Sequence, residues 1–149
     1  MDIKTLYEQD FHAWIQRHIT LLKASKFSDI DIDNLIEELE GMGKRDKREL
    51  VSRFIILIAH LLKWQYQVDM QSHSWRFSII EQRKKIEYLL KNEPSLKSYI
   101  AEAIAKAYPD AVDLAVEETE LPLSLFPESC PYTEQQLLTR FYPAVNFNN

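Results

Sequence analysis

The sequence predicts an all-α fold: a single domain formed by a bundle of about five helices, with a proline-rich C-terminal arm wrapped on it. Helical spacing of apolar residues runs through most of the 149-residue chain. The two glycines stand close together, at positions 41 and 43, so breakers are rare in the other predicted helices. With 46% hydrophobic residues, a chain of this length can bury one sizeable core, and we predict one domain over residues 1–149.

The N-terminal half predicts three helices. The first spans about residues 5–24, and its inner face is Phe11, Trp14, Ile15, His18, Ile19 and Leu22. The second begins after Asp31, which can cap it, and its inner face is Ile32, Leu35, Ile36, Leu39 and Met42. The third spans about residues 44–67 and is apolar on almost every side between 54 and 62, so we expect it to be buried. Gly41 and Gly43 either end the second helix or bend it into the third, and both alternatives stay open.

The C-terminal half predicts two more long helices and the arm. The fourth helix spans about residues 74–92, with Trp75, Ile79, Ile86, Leu89 and Leu90 facing inward. Pro94 suits the first turn of a fifth helix to about residue 108, and Pro109 can open its continuation to residue 118. The arm begins at about residue 121 and contains one short helix, residues 133–139. Residues 1–4 and 146–149 are expected to be frayed.

The net charge of −5 conceals a basic middle between two acidic ends. Residues 44–91 contain 11 basic and 5 acidic side chains, whereas residues 1–43 contain 4 and 9. A nucleic-acid contact surface is one interpretation, and its residues would be Lys44, Arg45, Lys47, Arg48, Lys84 and Lys85. The other interpretation, which we favour for a chain of pI about 5.4, is that the acidic outer helices neutralise the basic centre internally.

Polar residues interrupt the apolar third helix along one face and predict either a pocket or a buried network. Glu49, Arg53, His60, Lys63 and Gln67 share that face by their spacing. The candidate pocket consists of His60, Lys63, Trp64, Trp75, Gln82 and Arg83, with Glu37 and Glu38 as acidic partners. In the pocket, the two cations would hold an anion and the imidazole would move a proton. We favour the alternative, a hydrogen-bonded network that fixes helix register.

Metal and nucleophile chemistry have weaker signals. Glu37 and Glu40 could join His60 around a divalent ion, but no His-Glu-x-x-His or Glu-x-x-His occurs, and solvated acids explain them more simply. Cys130, the single cysteine, fits a small buried residue better than a nucleophile. Glycine-rich phosphate loops are missing from the sequence. We therefore predict no metal and no cofactor.

An ordered series of short motifs resembles the DUF29 family. The motifs are Tyr7-x-x-Asp10-Phe11-x-x-Trp14, Asn34-Leu35-x-Glu37-Glu38-x-Glu40-x-Met42-Gly43, His60-Leu61-Leu62-Lys63-Trp64-Gln65, Ser74-Trp75, Gln82-Arg83, Pro94-Ser95-Leu96, Glu118-Thr119 and Phe126-Pro127-x-x-Cys130-Pro131-Tyr132. The resemblance covers about residues 5–143 and implies an all-helical protein of the bacterial cytoplasm, mainly cyanobacterial. It implies no reaction and no catalytic residues, because the family has no assigned function. Pro109 departs from the family pattern and puts the continuity of its helix in question.

These observations predict a non-catalytic interaction or regulatory module. Its partner would be an unknown protein or a second copy of the chain, as in a homodimer. The alternatives are a nucleic-acid-associated protein that uses the basic centre and a small-anion binder or enzyme built on His60, Lys63 and Arg83. No secretion signal and no apolar run of membrane-spanning length is present, so we expect a cytoplasmic protein without a membrane partner.

Overall fold

The structure is a computed structural model that describes residues 2–140. This part of the chain is 83% helical, contains no strand and forms six α-helices, which confirms the all-α prediction. The helices are α1 (Ile3–Gln9), α2 (Phe11–Lys23), α3 (Ile32–Tyr66), α4 (His73–Asn92), α5 (Ile100–Thr119) and α6 (Glu134–Leu138). Of the residues predicted to fray, Ile3 and Lys4 lie in α1, whereas Met1 and residues 146–149 lie outside the described residues.

The predicted first helix is two helices that meet at Asp10. The Asp10 backbone leaves the helical region, with φ −148° and ψ 81°, and its side chain accepts a hydrogen bond from the Ala13 amide. Asp10 is therefore the N-cap of α2, and an aspartate favours a cap over a helix interior because its carboxylate binds the free amides there. The uninterrupted helix predicted over residues 5–24 was wrong at this position.

The open question about Gly41 and Gly43 has a clear outcome, because α3 runs through both without a break over 35 residues. Neither glycine has a positive φ, and a β-carbon added to either would meet nothing within 4 Å. The backbone and the neighbouring atoms therefore do not require glycine here. Each glycine nevertheless costs about 1 kcal/mol relative to alanine in a helix interior.

The chain forms two compact units, and the first comprises Met1–Arg45. Its helices are joined by polar contacts: the Trp14 indole donates to Asp31 at 3.2 Å, the Asp31 amide donates to His18 Nε2 at 3.0 Å, and the Tyr7 hydroxyl donates to Glu38 at 2.5 Å. The contacts with α1 and α2 are therefore made by Glu38 of α3 and by Asp31, the residue that precedes it. The predicted inner face was wrong in part, because Ile32, Ile36, Leu39 and Met42 are exposed and Leu35 is half-buried. Phe11, Ile19 and Leu22 of α2 are also exposed, whereas Trp14 and His18 are buried.

The second unit comprises Asp46–Asn149 and contains the main apolar core. Leu50, Phe54, Leu57, Ile58 and Leu62 of α3 are fully buried in it, as the apolar run predicts. The core residues of the other helices include Ile79, Ile86, Leu89, Leu90, Ala103, Ala107, Ala111 and Ala115. A single folding domain over residues 1–149 stays a prediction.

The helices of the second unit differ from their predicted bounds at one place. Pro94 begins a 3₁₀-helix, Pro94–Tyr99, and α5 follows it directly. Pro109 lies inside α5, which stays continuous through it, so the break suggested at this proline does not occur. The helix α4 begins at His73, one residue before the predicted start, and the Ser72 hydroxyl caps it by accepting from the Trp75 amide at 3.2 Å.

The C-terminal segment adds three side chains to the core of the second unit. Phe126, Tyr132 and Leu137 are buried there, and the Tyr132 hydroxyl donates to Gln65 Oε1 at 2.8 Å. The predicted short helix is present as α6, which Thr133 and Gln136 cap by reciprocal hydrogen bonds. Across residues 2–140, no helix is both long enough and apolar enough to cross a membrane.

Candidate functional site

Lys63 is the centre of the predicted polar pocket, and its contacts lie within the second unit. Its side chain is only 4% exposed, although it bears a charge. The ammonium group forms an ion pair with the Glu118 carboxylate of α5 and lies 4.9 Å from the centre of the Trp75 ring. A buried ammonium needs such partners because removing it from water is costly. Lys63 is thus already engaged by one acid and one aromatic face.

His60 lies one turn before Lys63 on α3 and is partly buried. Its Nδ1 lies 2.8 Å from the Ile56 carbonyl, and because a carbonyl only accepts, Nδ1 must bear the hydrogen. Burial lowers the pKa of His60 below its usual value of 6.5, and the positive charge of Lys63 adds to this effect. The imidazole is therefore neutral at physiological pH, with one nitrogen already bonded to the backbone.

Gln82 and Arg83 lie on α4, and Arg83 forms hydrogen bonds with α6. The Arg83 guanidinium donates to the carbonyl oxygens of Leu137 at 3.0 Å and Gln136 at 2.9 Å. These carbonyls lie at the C-terminal end of α6, where a cation is favoured. Gln82 Oε1 is buried and accepts no hydrogen bond from the described residues. Lys63 and Arg83 therefore anchor two different helices, α5 and α6.

The remaining residues of the predicted pocket are Trp64, Glu37 and Glu38, of which Trp64 and Glu38 form hydrogen bonds with residues outside it. Trp64 packs half-buried against the core, and its carbonyl accepts from Gln71 Nε2 at 2.9 Å. Glu37 and Glu38 belong to the first unit, where Glu37 is exposed. The hydrogen bond to Glu38 raises the pKa of Tyr7 to about 12, because ionised Tyr7 would face the carboxylate charge. The residues of the predicted pocket therefore have separate partners: Lys63 pairs with Glu118, Arg83 binds carbonyl oxygens of α6, and Glu38 accepts from Tyr7.

The predicted nucleic-acid contacts are all exposed. Lys44, Arg45, Lys47 and Arg48 occupy the middle of α3, and Lys84 and Lys85 occupy α4. Lys47 lies 5.0 Å from the centre of the Tyr99 ring, and Lys85 pairs with Glu81 at 3.0 Å. Lys47 and Lys85 are therefore already engaged within the chain. The other four side chains are exposed and accessible to a polyanion.

Two adjoining cavities lie between α5 and the C-terminal segment. They have volumes of about 460 and 570 Å³ and share Tyr108, Pro109 and Glu128. The Tyr108 hydroxyl donates to the Pro127 carbonyl at 2.5 Å. Cys130 lines the smaller cavity, and burial raises the pKa of its thiol, so that it is protonated and weakly nucleophilic at neutral pH. Among residues 2–140, no three histidine, cysteine, aspartate or glutamate side chains are grouped as a metal site would require.

The feature that sequence reasoning missed is an exposed stripe on α3, which consists of Ile32, Ile36, Leu39 and Gly43. Steps of 4, 3 and 4 residues place them along one face of the helix. Ile32 is 57% exposed, Ile36 48% and Leu39 58%. Ile32, Ile36 and Leu39 belong to the predicted inner face of this helix, whereas α1 bonds to Glu38 of α3 and α2 bonds to Asp31, the residue before α3.

A signal for the stripe was present in the sequence. Adding 18 residues to each stripe position gives Leu50, Phe54, Leu57 and Leu61, and 18 residues are five turns of an α-helix. These four residues are at most 2% exposed. The stripe and the buried face are therefore one apolar row along one helix, of which only the second half is covered.

Comparison with known proteins identifies the family and no activity. No curated protein and no protein of solved structure matches the chain. The family model of DUF29, described as a domain of unknown function, matches residues 6–142. That range contains the exposed stripe, the Lys63 ion pair and both cavities. Since the match covers nearly all of the 149 residues, the chain belongs to the DUF29 family.

Proposed function

We propose that the protein is a non-catalytic interaction module that binds a protein partner through the exposed stripe of α3. The observation that supports this is the exposure of Ile32, Ile36 and Leu39, whose apolar spacing continues along α3 in Leu50, Phe54 and Leu57, which are buried. Proteins rarely leave adjoining large apolar side chains in water unless a partner covers them. Other apolar side chains of the first unit add to the accessible apolar area, namely Phe11, Ile19, Leu22, Phe27 and Met42.

The contacts of the buried polar residues favour this proposal over an enzyme or anion binder. Lys63 pairs with Glu118, and Arg83 binds the end of α6, so both cations have partners within the chain. The carboxylate of Glu118 already balances the charge of Lys63, which weakens the attraction of this group for a further anion. The low pKa of His60 suits a buried neutral side chain equally well.

Site-specific photo-cross-linking tests the proposal. A photoreactive phenylalanine analogue replaces Leu39 on the stripe, and the matched control replaces Tyr88, an exposed aromatic residue of α4. We expect irradiation of cells of the native host to give adducts of defined mass from position 39 and none of the same mass from position 88. Equal patterns from both positions, or none from position 39, would show that the stripe binds no protein.

Nucleic-acid binding is the second candidate function, and the exposed basic residues support it. Lys44, Arg45, Arg48 and Lys84 are available to phosphates, and binding through them would release counterions. A fluorescent duplex titrated at several salt concentrations tests it. Binding that weakens steeply with salt and is lost in Lys44→Glu/Arg45→Glu supports this candidate, and absent or salt-independent binding removes it.

We also propose a helical-bundle arrangement for the second unit and a bacterial cytoplasmic location for the protein. The second unit would be a helical bundle with the C-terminal arm wrapped on it, and burial of Phe126, Tyr132 and Leu137 supports that arrangement. A bacterial cytoplasmic setting follows from the resemblance to DUF29 alone. Truncation before Phe126 tests the arm, because a wrapped arm predicts a large loss of stability in the second unit.

A further inference from the structure

We infer that the two adjoining cavities beside α5 form one groove, which binds an extended peptide segment of a partner with a basic residue between two apolar ones. All residues that line the groove lie between positions 101 and 134, so the groove belongs to the second unit alone. It shares no residue with the exposed stripe. The inference therefore goes beyond the proposed function and can fail without it.

The two cavities follow each other along α5. On this helix the smaller cavity is lined by residues between 101 and 109, and the larger by residues between 108 and 113. The C-terminal segment runs beside them in the opposite direction, since residues from 128–134 line the smaller cavity and residues from 123–128 the larger. Twelve residues of helix rise about 18 Å, which is the length of about five extended residues. The groove therefore has the length of a short peptide.

Buried apolar side chains form the floor of each cavity. Ile104 and Tyr132 are buried in the smaller cavity, and Val112 and Phe126 are buried in the larger. Tyr108 lines both cavities and so stands between the two floors. A ligand that removes both floors from water gains hydrophobic free energy at two places along its length. The floors therefore favour a ligand with one apolar side chain on either side of Tyr108.

The charged residues that line the groove are all acidic. Glu134 borders the smaller cavity, Asp113 borders the larger, and Glu128 borders both. Among the described residues, no lysine or arginine lines either cavity, and none of the three acids forms an ion pair. A cation in the middle of the ligand would meet Glu128, and opposite charges across an interface favour binding.

Pro109 adds a backbone acceptor to the same groove. In a regular helix the amide of residue 109 donates to the carbonyl of Ala105, but proline has no amide hydrogen. Ala105 and Pro109 both line the smaller cavity, so this carbonyl lies on the groove side of α5. The Tyr108 hydroxyl already donates to Pro127, so its oxygen can only accept from a ligand. Carboxylates, carbonyl and hydroxyl all match lysine or arginine, whose charged groups only donate.

Other classes of ligand match the groove less well. The three carboxylates would repel a nucleic acid or an anionic membrane surface. A small organic cation could pair with one acid, but it would not cover both apolar floors. An extended peptide with a basic residue between two apolar ones matches the charge, the length and both floors.

Selection from a displayed library of random peptides on the purified full chain tests the inference. We expect the enriched peptides to share a lysine or arginine between two large apolar residues. A synthetic peptide of the enriched sequence should bind at least about tenfold more weakly to Glu128→Lys and equally well to Glu93→Lys. Glu93 is an exposed acid of the same unit that lines neither cavity. Enriched acidic peptides, no shared sequence, or equal effects of the two variants would overturn the inference.

A second pair of variants tests whether the same peptide occupies the apolar floor. Ala105→Trp puts a large side chain into the smaller cavity from an exposed position, so the core stays intact. Gln135→Trp is the control, because Gln135 is exposed in the neighbouring helix and lines neither cavity. Binding should be lost in the first variant and kept in the second, and circular dichroism verifies that both keep their helices. Unchanged binding in Ala105→Trp would show that the peptide contacts only surface acids, and the groove would not be its site.

The two proposals can fail separately. Cross-linking from position 39 tests a surface of the first unit, and peptide selection tests a groove of the second. If position 39 captures nothing but Glu128→Lys and Ala105→Trp both weaken a selected peptide, the stripe proposal is wrong and the groove stands. The opposite pair of results removes the groove and leaves the stripe.

Discussion

The two halves of α3 have the same apolar pattern and opposite environments. Leu50, Phe54 and Leu57 are 0% exposed, whereas Ile32, Ile36 and Leu39, five turns earlier, are about half exposed or more. Within the second unit, helices α4 and α5 and the C-terminal segment contribute to the core that covers the later half. Helical periodicity therefore identifies the apolar face of α3, but it does not tell whether the same chain covers that face.

The first unit shows why the earlier half stays uncovered. Its first two helices are bonded to Glu38 of α3, which accepts from Tyr7, and to Asp31 just before α3, which accepts from Trp14. Burial alone would raise the pKa of Asp31, but hydrogen bonds from Asn34 and Trp14 outweigh it and hold that pKa below its usual value. The ionised acid is therefore stabilised in its buried position. Directed polar bonds, rather than the most apolar face, set how these helices pack.

The largest expected effect comes from deleting equivalent leucines in the two halves. Leu57→Ala should destabilise the second unit by about 2–5 kcal/mol, because it leaves a cavity in a filled core. Leu39→Ala should change the stability of the monomer by no more than about 0.5 kcal/mol, since its side chain is already in water. Urea titration at low protein concentration measures both. Similar losses in the two variants would contradict the difference between the halves.

In the buried half, the loss of stability should differ according to which partner of the Lys63–Glu118 ion pair is replaced. Glu118→Gln should cost about 3 kcal/mol, because it leaves the ammonium buried without its acid. Lys63→Met should cost only about 1 kcal/mol, since the Glu118 side chain is 43% exposed and can be hydrated. Urea titration of the two variants checks the order. A larger loss for Lys63→Met would mean that Lys63 stabilises the fold through a contact other than Glu118.

Glycine and alanine exchanges compare the backbones of the two halves. Gly41→Ala should stabilise the protein by about 1 kcal/mol, because the site is helical, exposed and open around the added methyl group. Ala59→Gly, in the buried half, should cost about 2 kcal/mol, as it loses both helix propensity and a buried methyl group. Thermal unfolding followed by circular dichroism measures both. A destabilising Gly41→Ala would indicate that the glycine is needed for a close contact on that side of α3.

Most of the fold could be predicted from local sequence signals. The starts of α4 and α6 agree with Ser72 and Thr133, whose hydroxyls cap those helices at the N-terminal end. The break at Asp10 was missed because the apolar period continues across it, although aspartate is a good cap. The continuity of α3 could not be decided, because an exposed glycine weakens a helix without necessarily ending it.

Less of the candidate site could be predicted. The sequence predicts Lys63 and Trp75 in one region, and the structure brings them together. Lys63 and Arg83 were candidates for one anion site, and their contacts lie with Glu118 and with α6. Glu118 and the α6 carbonyls are more than 50 residues away in sequence, and single-sequence spacing contains no information on such pairs. The apolar spacing of the stripe predicts a core face, because the spacing shows which face is apolar and the exposure depends on the neighbouring elements.

The smallest expected effect concerns the proton on His60 in the buried half. Because burial lowers its folded pKa below the unfolded value of 6.5, the unfolded chain binds this proton more readily. Its contribution to stability is therefore constant above about pH 6.5 and declines as the pH falls from there through the folded pKa. His60→Gln has no proton to gain at this position and should not show this decline. As the pH falls below 6.5, the parent should therefore lose more unfolding free energy than the variant. Urea titrations at a series of pH values measure it. A difference that does not change with pH, or that changes in favour of the parent, would mean that folding does not disfavour the charged imidazole at this position.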